Sequence, residues 1–243
     1  MSALLEVNEI EDLNARFAGE SPEKLLVWAA ERFAGRLRLA CSFGAEDVAL
    51  VDIVARHELG IVPFVLDTGR LHQETYDVMD RFRSKYGIDF ETYFPNTQAI
   101  EQLLSAKGPN SFYESVDNRK ECCHIRKVEP LNRALAGRDG WITGLRREQA
   151  VTRASLPKIE LDDSHGGIVK LNPLADWTEA QVWDYIRHYD VPYNVLHDRG
   201  FPSIGCAPCT RAIDPGEDIR AGRWWWEAPE HKECGLHFRI KKT

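Results

Sequence analysis

The feature that most constrains the fold is an uninterrupted apolar run from Ile61 to Leu66, which ends in the polar residues Asp67 and Thr68 and in Gly69. A strand that is apolar throughout is typical of a parallel sheet covered on both faces, because neither face meets water. Polar residues directly after such a strand face the crevice in which these sheets bind ligands. The run therefore predicts an α/β fold with a ligand site at the end of this strand.

Strand and helix patterns alternate on both sides of that run. The predicted strands are residues 36–42, 61–66, 90–94, 140–146 and 168–174, and the predicted helical regions are 9–33, 45–57, 71–86, 97–105, 122–136 and 178–189. Ser21-Pro22-Glu23 supplies a helix start, and Thr178 with Gln181 forms a capping box. This alternation predicts an open, mostly parallel sheet with helices on both faces.

The composition of the chain argues against some classes of partner. The 243 residues carry a net charge of −7, which argues against a nucleic-acid partner because such binding needs a broad cationic surface. There is neither a long apolar run nor a signal-peptide pattern at the N-terminus, so we expect a soluble, cytoplasmic protein with no membrane partner. Since no linker-like stretch divides the chain, we expect one nucleotide-binding α/β domain, 1–219, followed by a mobile C-terminal tail, 220–243.

Four of the six cysteines fall into two close pairs, Cys122-Cys123 and Cys206 with Cys209. Disulfide frameworks belong to small exported domains, so metal ligation is the better explanation here. Two distant pairs can build a four-sulfur site for zinc or for an iron–sulfur cluster, and spacing alone does not choose between them. Adjacent cysteines point in different directions, so we expect Cys122-Cys123 at a helix start or in a turn. A cluster accommodates that arrangement better than one zinc ion does.

The other two cysteines have different surroundings. Cys41 lies in the first predicted strand and is typical of a small buried residue. Cys234 lies in a polar, basic segment near the C-terminus, with His237 three residues later. Chain ends tend to be mobile, and nearby cations favour the nucleophilic thiolate. The segment alone fits either a catalytic nucleophile or an ordinary surface cysteine.

Two further features concern anions. Ser42, Phe43 and Gly44 form a strand-to-helix turn, where backbone N–H groups and the helix dipole can receive an anion. This turn is not a Walker P-loop or a Gly-x-Gly-x-x-Gly motif, and the acidic residues Glu46 and Asp47 favour a nucleoside or a single phosphate over a triphosphate. Residues 220–243 have an excess of positive charge, which suggests an anionic substrate.

Together these motifs resemble those of the assimilatory adenylyl-sulfate (APS) and phosphoadenylyl-sulfate (PAPS) reductases, within the adenine-nucleotide folds that include PP-loop ATP pyrophosphatases. The resemblance spans about residues 37–237 and rests on Ser42-Phe43-Gly44-Ala45, Leu66-Asp67-Thr68-Gly69, Glu74-Thr75-Tyr76, the two cysteine pairs, Thr143-Gly144-Leu145-Arg146-Arg147 and Glu233-Cys234-Gly235-Leu236-His237. PP-loop pyrophosphatases carry Ser-Gly-Gly-x-Asp-Ser, so Phe43 and Glu46-Asp47 argue against ATP pyrophosphate chemistry.

The resemblance implies thioredoxin-dependent reduction of APS to sulfite and AMP, in sulfate assimilation and cysteine biosynthesis. Members that keep both cysteine pairs bind one 4Fe-4S cluster and mostly use APS, which implies Cys122, Cys123, Cys206 and Cys209 as ligands. Cys234 is then the nucleophile that becomes an S-sulfocysteine. The implied substrate-binding residues are Ser42, Phe43, Gly44, Asp67, Thr68, Gly69, Lys127, Arg146, Arg220, Arg223 and His237.

Several alternatives stay open. A dual APS/PAPS reductase is the nearest, and a zinc-stabilised PP-loop-type nucleotide protein would use the four cysteines structurally. A PP-loop transferase acting on RNA would need a basic groove, which the net charge disfavours. The residues do not decide the oligomeric state, the redox role of a cluster, or whether a thioredoxin or a glutaredoxin is the reductant.

Overall fold

The computed structural model describes residues 5–150 and 153–228. Its helices are α1 (Val7–Phe17), α2 (Pro22–Phe33), α3 (Ala45–Arg56), α4 (Gln73–Tyr86), α5 (Thr97–Lys107), α6 (Val116–Cys123), α7 (Glu129–Leu135) and α8 (Glu179–His188). Its strands are β1 (Leu37–Ala40), β2 (Val62–Leu66), β3 (Glu91–Tyr93), β4 (Gly140–Ile142), β5 (Ile159–Asp162) and β6 (Ile168–Leu171). The predicted alternation of strands and helices is confirmed.

The strands form one sheet in the order β3-β2-β1-β4-β6-β5, parallel except for β5, which pairs antiparallel with β6. The prediction of a mostly parallel sheet is therefore correct, but β5 was missed. The chain proceeds outward from β1 to β2 and β3 on one side, while β4 lies on the other side of β1. Ligands bind parallel sheets where the strand order reverses, here at the carboxyl ends of β1 and β4.

Successive residues of each strand face opposite sides of the sheet. On one side, Leu39, Val65 and Ile142 join the main core with apolar residues of α1, α2, α3, α4 and α8. On the other side, Phe64 and Trp141 pack against α7. Helices therefore cover both faces, as predicted.

The expectation that Cys122-Cys123 lie at a helix start or in a turn is wrong. They are the last residues of α6, which begins after Ser115, whose side chain accepts a hydrogen bond from the N–H of Asn118. After them the chain makes one wider π-helical turn, His124–Val128, before α7. Such turns re-aim side chains and are frequent at functional sites.

Candidate active site

A cavity of about 260 Å³ opens at the carboxyl ends of β1, β2 and β4, where the strand order reverses. Among the residues predicted to bind substrate, its walls include Ser42, Gly44, Thr68, Lys127, Arg220 and Arg223. The predicted ligand crevice therefore exists, and residues far apart in the sequence meet there.

The turn from Ser42 to Gly44 forms the end of this cavity nearest α3. Phe43 adopts a left-handed backbone conformation with φ of 60°. Its side chain is fully buried against Phe82 and Phe90, with ring centroids 6.2 and 5.1 Å away. Phe43 thus anchors the turn from the core side, whereas the backbone and the neighbouring Ser42 and Gly44 face the cavity.

Asp47 fixes the same turn from within α3. Its carboxylate accepts hydrogen bonds from the Ser42 backbone N–H at 2.6 Å and from the Ser42 hydroxyl at 2.7 Å. Gly144, just after β4, lies so close that a Cβ there would stand 2.4 Å from Asp47 Oδ1. The glycine therefore allows β4 and α3 to approach, and burial raises the pKa of Asp47 to about 6 despite the hydrogen bonds from Ser42.

The residues after β2 have different roles. Asp67 is buried and accepts hydrogen bonds from the Gly69 N–H at 2.8 Å and from the Tyr76 hydroxyl at 3.0 Å. Gly69 adopts φ of 69°, which favours glycine. Asp67 and Gly69 are outside the lining of the cavity, so they shape the turn, while Thr68 lines the cavity. The Thr68 hydroxyl lies 3.2 Å from Cys206 Sγ, which joins this turn to the second cysteine pair.

Four cationic side chains line the cavity, those of Lys127, Arg153, Arg220 and Arg223. Gly205 packs directly against the guanidinium of Arg223, since a Cβ at Gly205 would lie 2.6 Å from an Arg223 nitrogen. Arg153 was not predicted to line the site. The one signal for it in the sequence is that it lies a few residues after Arg146-Arg147, which is weak evidence for a ligand.

Arg146 takes a different position from the one expected of a substrate ligand. It is almost fully buried, and its Nε donates to Glu46 Oε1 at 2.8 Å. Arg146 does not line the 260 Å³ cavity, although it lines a neighbouring one together with Glu46. The ion pair joins the loop after β4 to the first turn of α3 and so supports the Ser42 turn from behind.

The four paired cysteines meet around one small void of about 20 Å³. Cys123, Cys206 and Cys209 are buried, and Phe112 and Trp224 pack against them. Burial raises the pKa of the Cys209 thiol to about 12 and also raises that of Cys122, which nearby Arg126 opposes. As free thiols, Cys122 and Cys209 would thus be neutral at pH 7, and a bound cation would be needed to hold them as thiolates.

The surroundings of these cysteines suit a negatively charged, sulfur-rich group. Arg70, Arg119, Arg126 and Lys127 line the same void. In the described part of the chain, Arg126 Nε, Trp224 Nε1 and Trp226 Nε1 are buried without a hydrogen-bond partner. Buried donors normally have partners, and the sulfur atoms of an iron–sulfur cluster accept hydrogen bonds.

Within residues 5–150 and 153–228, no three His, Cys, Asp or Glu side chains converge closely enough to ligate a single metal ion. The four cysteines nevertheless surround a common void. The two findings are compatible for a cluster, because each iron of a cluster takes its own thiolate and the four sulfur atoms need not meet at one ion.

Comparison with known proteins decides the family. Residues 36–212 match the phosphoadenosine phosphosulfate reductase domain, which is most of the chain. The chain belongs to the phosphoadenosine phosphosulfate reductase family. It is 55% identical over 218 residues to an adenosine 5'-phosphosulfate reductase of Burkholderia cepacia, which covers 90% of this chain and 86% of that protein. It is 57% identical over 200 residues to one of Allochromatium vinosum, covering 82% of this chain and 78% of that protein.

The fold agrees with this assignment to the reductase family. The crystal structure of a phosphoadenylyl-sulfate reductase from Candida auris, a phosphate complex, matches with a TM-score of 0.75 at 31% identity. The match covers 88% of this chain and all of that one. The prediction of an enzyme of the APS/PAPS reductase family is confirmed.

Two predicted residues of the reductase site, Cys234 and His237, lie outside the described residues. The description ends at Ala228, just after Glu227, whose carboxylate binds Arg119 through two hydrogen bonds of 2.9 and 2.8 Å. The roles of Cys234 and His237 therefore stay predictions. Across the described ranges, the helices are too short or too polar to traverse a membrane.

Proposed function

We propose that this chain is a thioredoxin-dependent adenylyl-sulfate reductase, which converts APS to sulfite and AMP in sulfate assimilation and cysteine biosynthesis. One observation carries the proposal: Lys127 lines both the cavity at the strand ends and the void between the four cysteines. A cavity lined by several cationic side chains thus adjoins a four-cysteine site. The relatives named adenosine 5'-phosphosulfate reductase support APS as the substrate.

Cys122, Cys123, Cys206 and Cys209 would hold one 4Fe-4S cluster. When bound, the cluster would supply fixed charge beside the sulfate end of the substrate and would join two distant parts of the chain. The nearby guanidinium groups would balance its negative charge, and the indole N–H groups would donate hydrogen bonds to its sulfur atoms. Lys127 then lies between this charge and the substrate.

The cavity residues divide between the two ends of APS. Ser42, Gly44 and Thr68 would contact the adenosine, since they lie at the strand ends. Lys127, Arg220 and Arg223 would hold the phosphosulfate by charge-assisted hydrogen bonds, and Arg153 joins them. Phe43, Asp67, Gly69 and Arg146 would position these groups and not touch the substrate, whereas His237 would bind the substrate beside Cys234.

The chemistry is nucleophilic catalysis in two steps. The Cys234 thiolate attacks the sulfate sulfur, the bond from that sulfur to the bridging oxygen breaks, and AMP leaves with the electron pair. A thiolate of the reductant then attacks Cys234 Sγ, and sulfite leaves with the electron pair of the S–SO₃ bond. The second thiol of the reductant resolves the mixed disulfide, which returns Cys234 as a thiolate and leaves the reductant as a disulfide.

In this scheme residues 220–243 form the catalytic tail of the 1–219 domain. The tail presents Cys234 first to the substrate and then to the reductant. Both thiols that supply the two electrons are in the reductant, which explains why a single catalytic cysteine is sufficient. The proposed setting is cytoplasmic, where dithiol reductants keep thiols reduced.

The test is sulfite release from APS and from PAPS assayed side by side with thioredoxin. Without reductant, wild-type enzyme and APS should give one equivalent of AMP and an adduct heavier by about 80 Da on Cys234, as covalent catalysis requires. Cys234→Ser should bind AMP but form no adduct, whereas Cys41→Ser should behave as wild type. An adduct on Cys41, or turnover in Cys234→Ser, would contradict this mechanism.

A dual APS/PAPS reductase is the second candidate, favoured by the likeness to the phosphoadenylyl-sulfate reductase of Candida auris. The same assay separates the two candidates. Comparable sulfite release from PAPS would establish dual use, and activity with APS alone would exclude it.

A further inference from the structure

Two large, exposed aromatic side chains, Tyr113 and Trp225, lie next to each other in the structure, and Trp225 is close to the last described residue. Tyr113 is 41% exposed and Trp225 39% exposed, and their ring centroids are 6.2 Å apart. The half-buried Trp226 contacts both, at 4.4 Å from Tyr113 and 4.8 Å from Trp225. We name Tyr113, Trp225 and Trp226 the aromatic patch.

The three consecutive tryptophans have different roles, so the patch is not simply exposed core. Trp224 is 1% exposed, and the guanidinium groups of Arg119 and Arg223 lie over its ring, 4.9 and 4.7 Å from the centroid. Trp226 packs against the cysteine region. Neither role applies to Trp225, whose ring contacts the other two members of the patch.

The patch is held firmly in place. The Tyr113 hydroxyl donates a 2.6 Å hydrogen bond to the Pro208 carbonyl, between Cys206 and Cys209. Phe112 supports Tyr113 from the buried side, with ring centroids 4.4 Å apart. Rigid, exposed Trp and Tyr side chains are typical of binding hot spots, because little conformational entropy is lost when they are covered.

The position of the patch in the chain indicates what covers it. Trp225 precedes Ala228, the last described residue, by three positions, and Cys234 follows Ala228 by six. Six residues span at most roughly 20 Å, so the Cys234 sulfur stays within that distance of Ala228. A protein that attacks this sulfur must therefore cover surface close to the patch.

We propose that the aromatic patch is the docking surface for the protein dithiol that reduces the S-sulfocysteine. The proposal rests on the function proposed above. The partner would present an uncharged, apolar surface around its attacking thiol, complementary to exposed aromatic rings. Its thiolate forms a bond to Cys234 Sγ, sulfite leaves with the electron pair, and its second thiol then resolves the mixed disulfide. Transient redox complexes bury less than about 1,200 Å² in total, so a few aromatic anchors suffice.

The test compares Trp225→Ala with wild type, using thioredoxin or dithiothreitol as reductant. We expect the KM for thioredoxin to rise about tenfold or more, the effect of losing a hot-spot side chain. Turnover with dithiothreitol and the amount of AMP released without reductant should stay unchanged, because a small dithiol needs no docking surface. Phe94→Ala is the matched control, since Phe94 is 54% exposed and makes no ring contact with the patch within the described residues. Trp225→Gln provides a second variant.

Each other outcome overturns the docking role. An unchanged KM for thioredoxin in both Trp225 variants would exclude the patch as its docking surface. Loss of AMP release without reductant would show that the chain's own residues 229–243 cover it. If the Trp225 variants had a different molecular mass in solution from the wild type, the patch would be a contact with a second copy of the chain. Failure of the wild type to release sulfite with either thioredoxin or dithiothreitol would instead refute the proposed function.

Discussion

The sheet region and the cysteine region of this reductase are stabilised in different ways. The sheet buries a continuous apolar core in which residues such as Leu25, Leu39 and Val169 have no exposed surface. The cysteine region, residues 111–128 and 200–228, contains the four paired thiols, three of them buried, and the buried ion pair of Arg119 with Glu227. Apolar burial stabilises without a ligand, whereas buried polar groups need partners. We therefore expect the sheet to fold independently of any cofactor and the cysteine region to depend on one.

The largest expected effect tests this contrast directly. Cys209→Ser removes one of the four thiols around the common void and should abolish iron and acid-labile sulfide, together with visible absorption. Hydrogen exchange should then accelerate in residues 200–228 and remain slow in β1, β2 and α3. The combination would show that the cofactor stabilises one region and not the other.

Cys41→Ser is the matched control, because Cys41 is equally buried but lies beside β1 and away from the void. It should keep full iron content. Retention of iron and sulfide by Cys209→Ser, or equal loss of protection in β1, would contradict the division into two regions.

The same contrast explains what the sequence could predict. β2 was evident because burial on both faces requires a continuous apolar run, and α8 because Thr178 and Gln181 form the expected capping box. The sequence of α6, VDNRKECC, has no apolar periodicity, since this helix packs through cysteines and the buried Arg119. Its start was therefore missed, and Cys122-Cys123 were placed at the wrong end.

Other parts of the site needed three-dimensional information. β5 is a short edge strand, and no local sequence pattern predicts its pairing with β6. Arg146 follows a strand and has basic neighbours, a pattern that suggests a substrate ligand. Its ion pair with Glu46 joins residues 100 positions apart in the chain, so the sequence does not reveal it. The cysteine pairs were identified because ligand chemistry restricts residue type, and their convergence agrees with that interpretation.

A smaller effect is expected from the buried ion pair that joins Arg119 to Glu227 of the catalytic tail. Arg119 and Glu227 are 1% and 3% exposed, and Arg119 also lies against Trp224. Glu227→Gln removes the carboxylate from this buried ion pair, which should lower the free energy of unfolding of this region by about 3 to 5 kcal/mol. Urea unfolding monitored by tryptophan fluorescence would measure it.

The control for that change is an exposed pair on the sheet side. Arg133 and Glu129 of α7 form an ion pair with side chains 45% and 39% exposed. Glu129→Gln should cost less than about 1 kcal/mol. Equal losses in the two variants would mean that burial of the Arg119 pair adds nothing to stability.

The smallest effect concerns Asp47, which joins the sheet region to the nucleotide cavity. Burial raises its pKa from 3.8 to about 6 in the folded protein. Between these two values the folded state keeps a proton that the unfolded state has lost, so stability must fall as pH rises through this window and level off above about 6.

Asp47→Asn cannot ionise and retains an oxygen to accept hydrogen bonds from Ser42. The free energy of unfolding of wild type minus that of Asp47→Asn should therefore decrease from pH 5 to about 6.5 and stay constant up to 7.5, as measured by urea unfolding. A difference that rises with pH would mean that the hydrogen bonds from Ser42 outweigh burial and lower the pKa of Asp47.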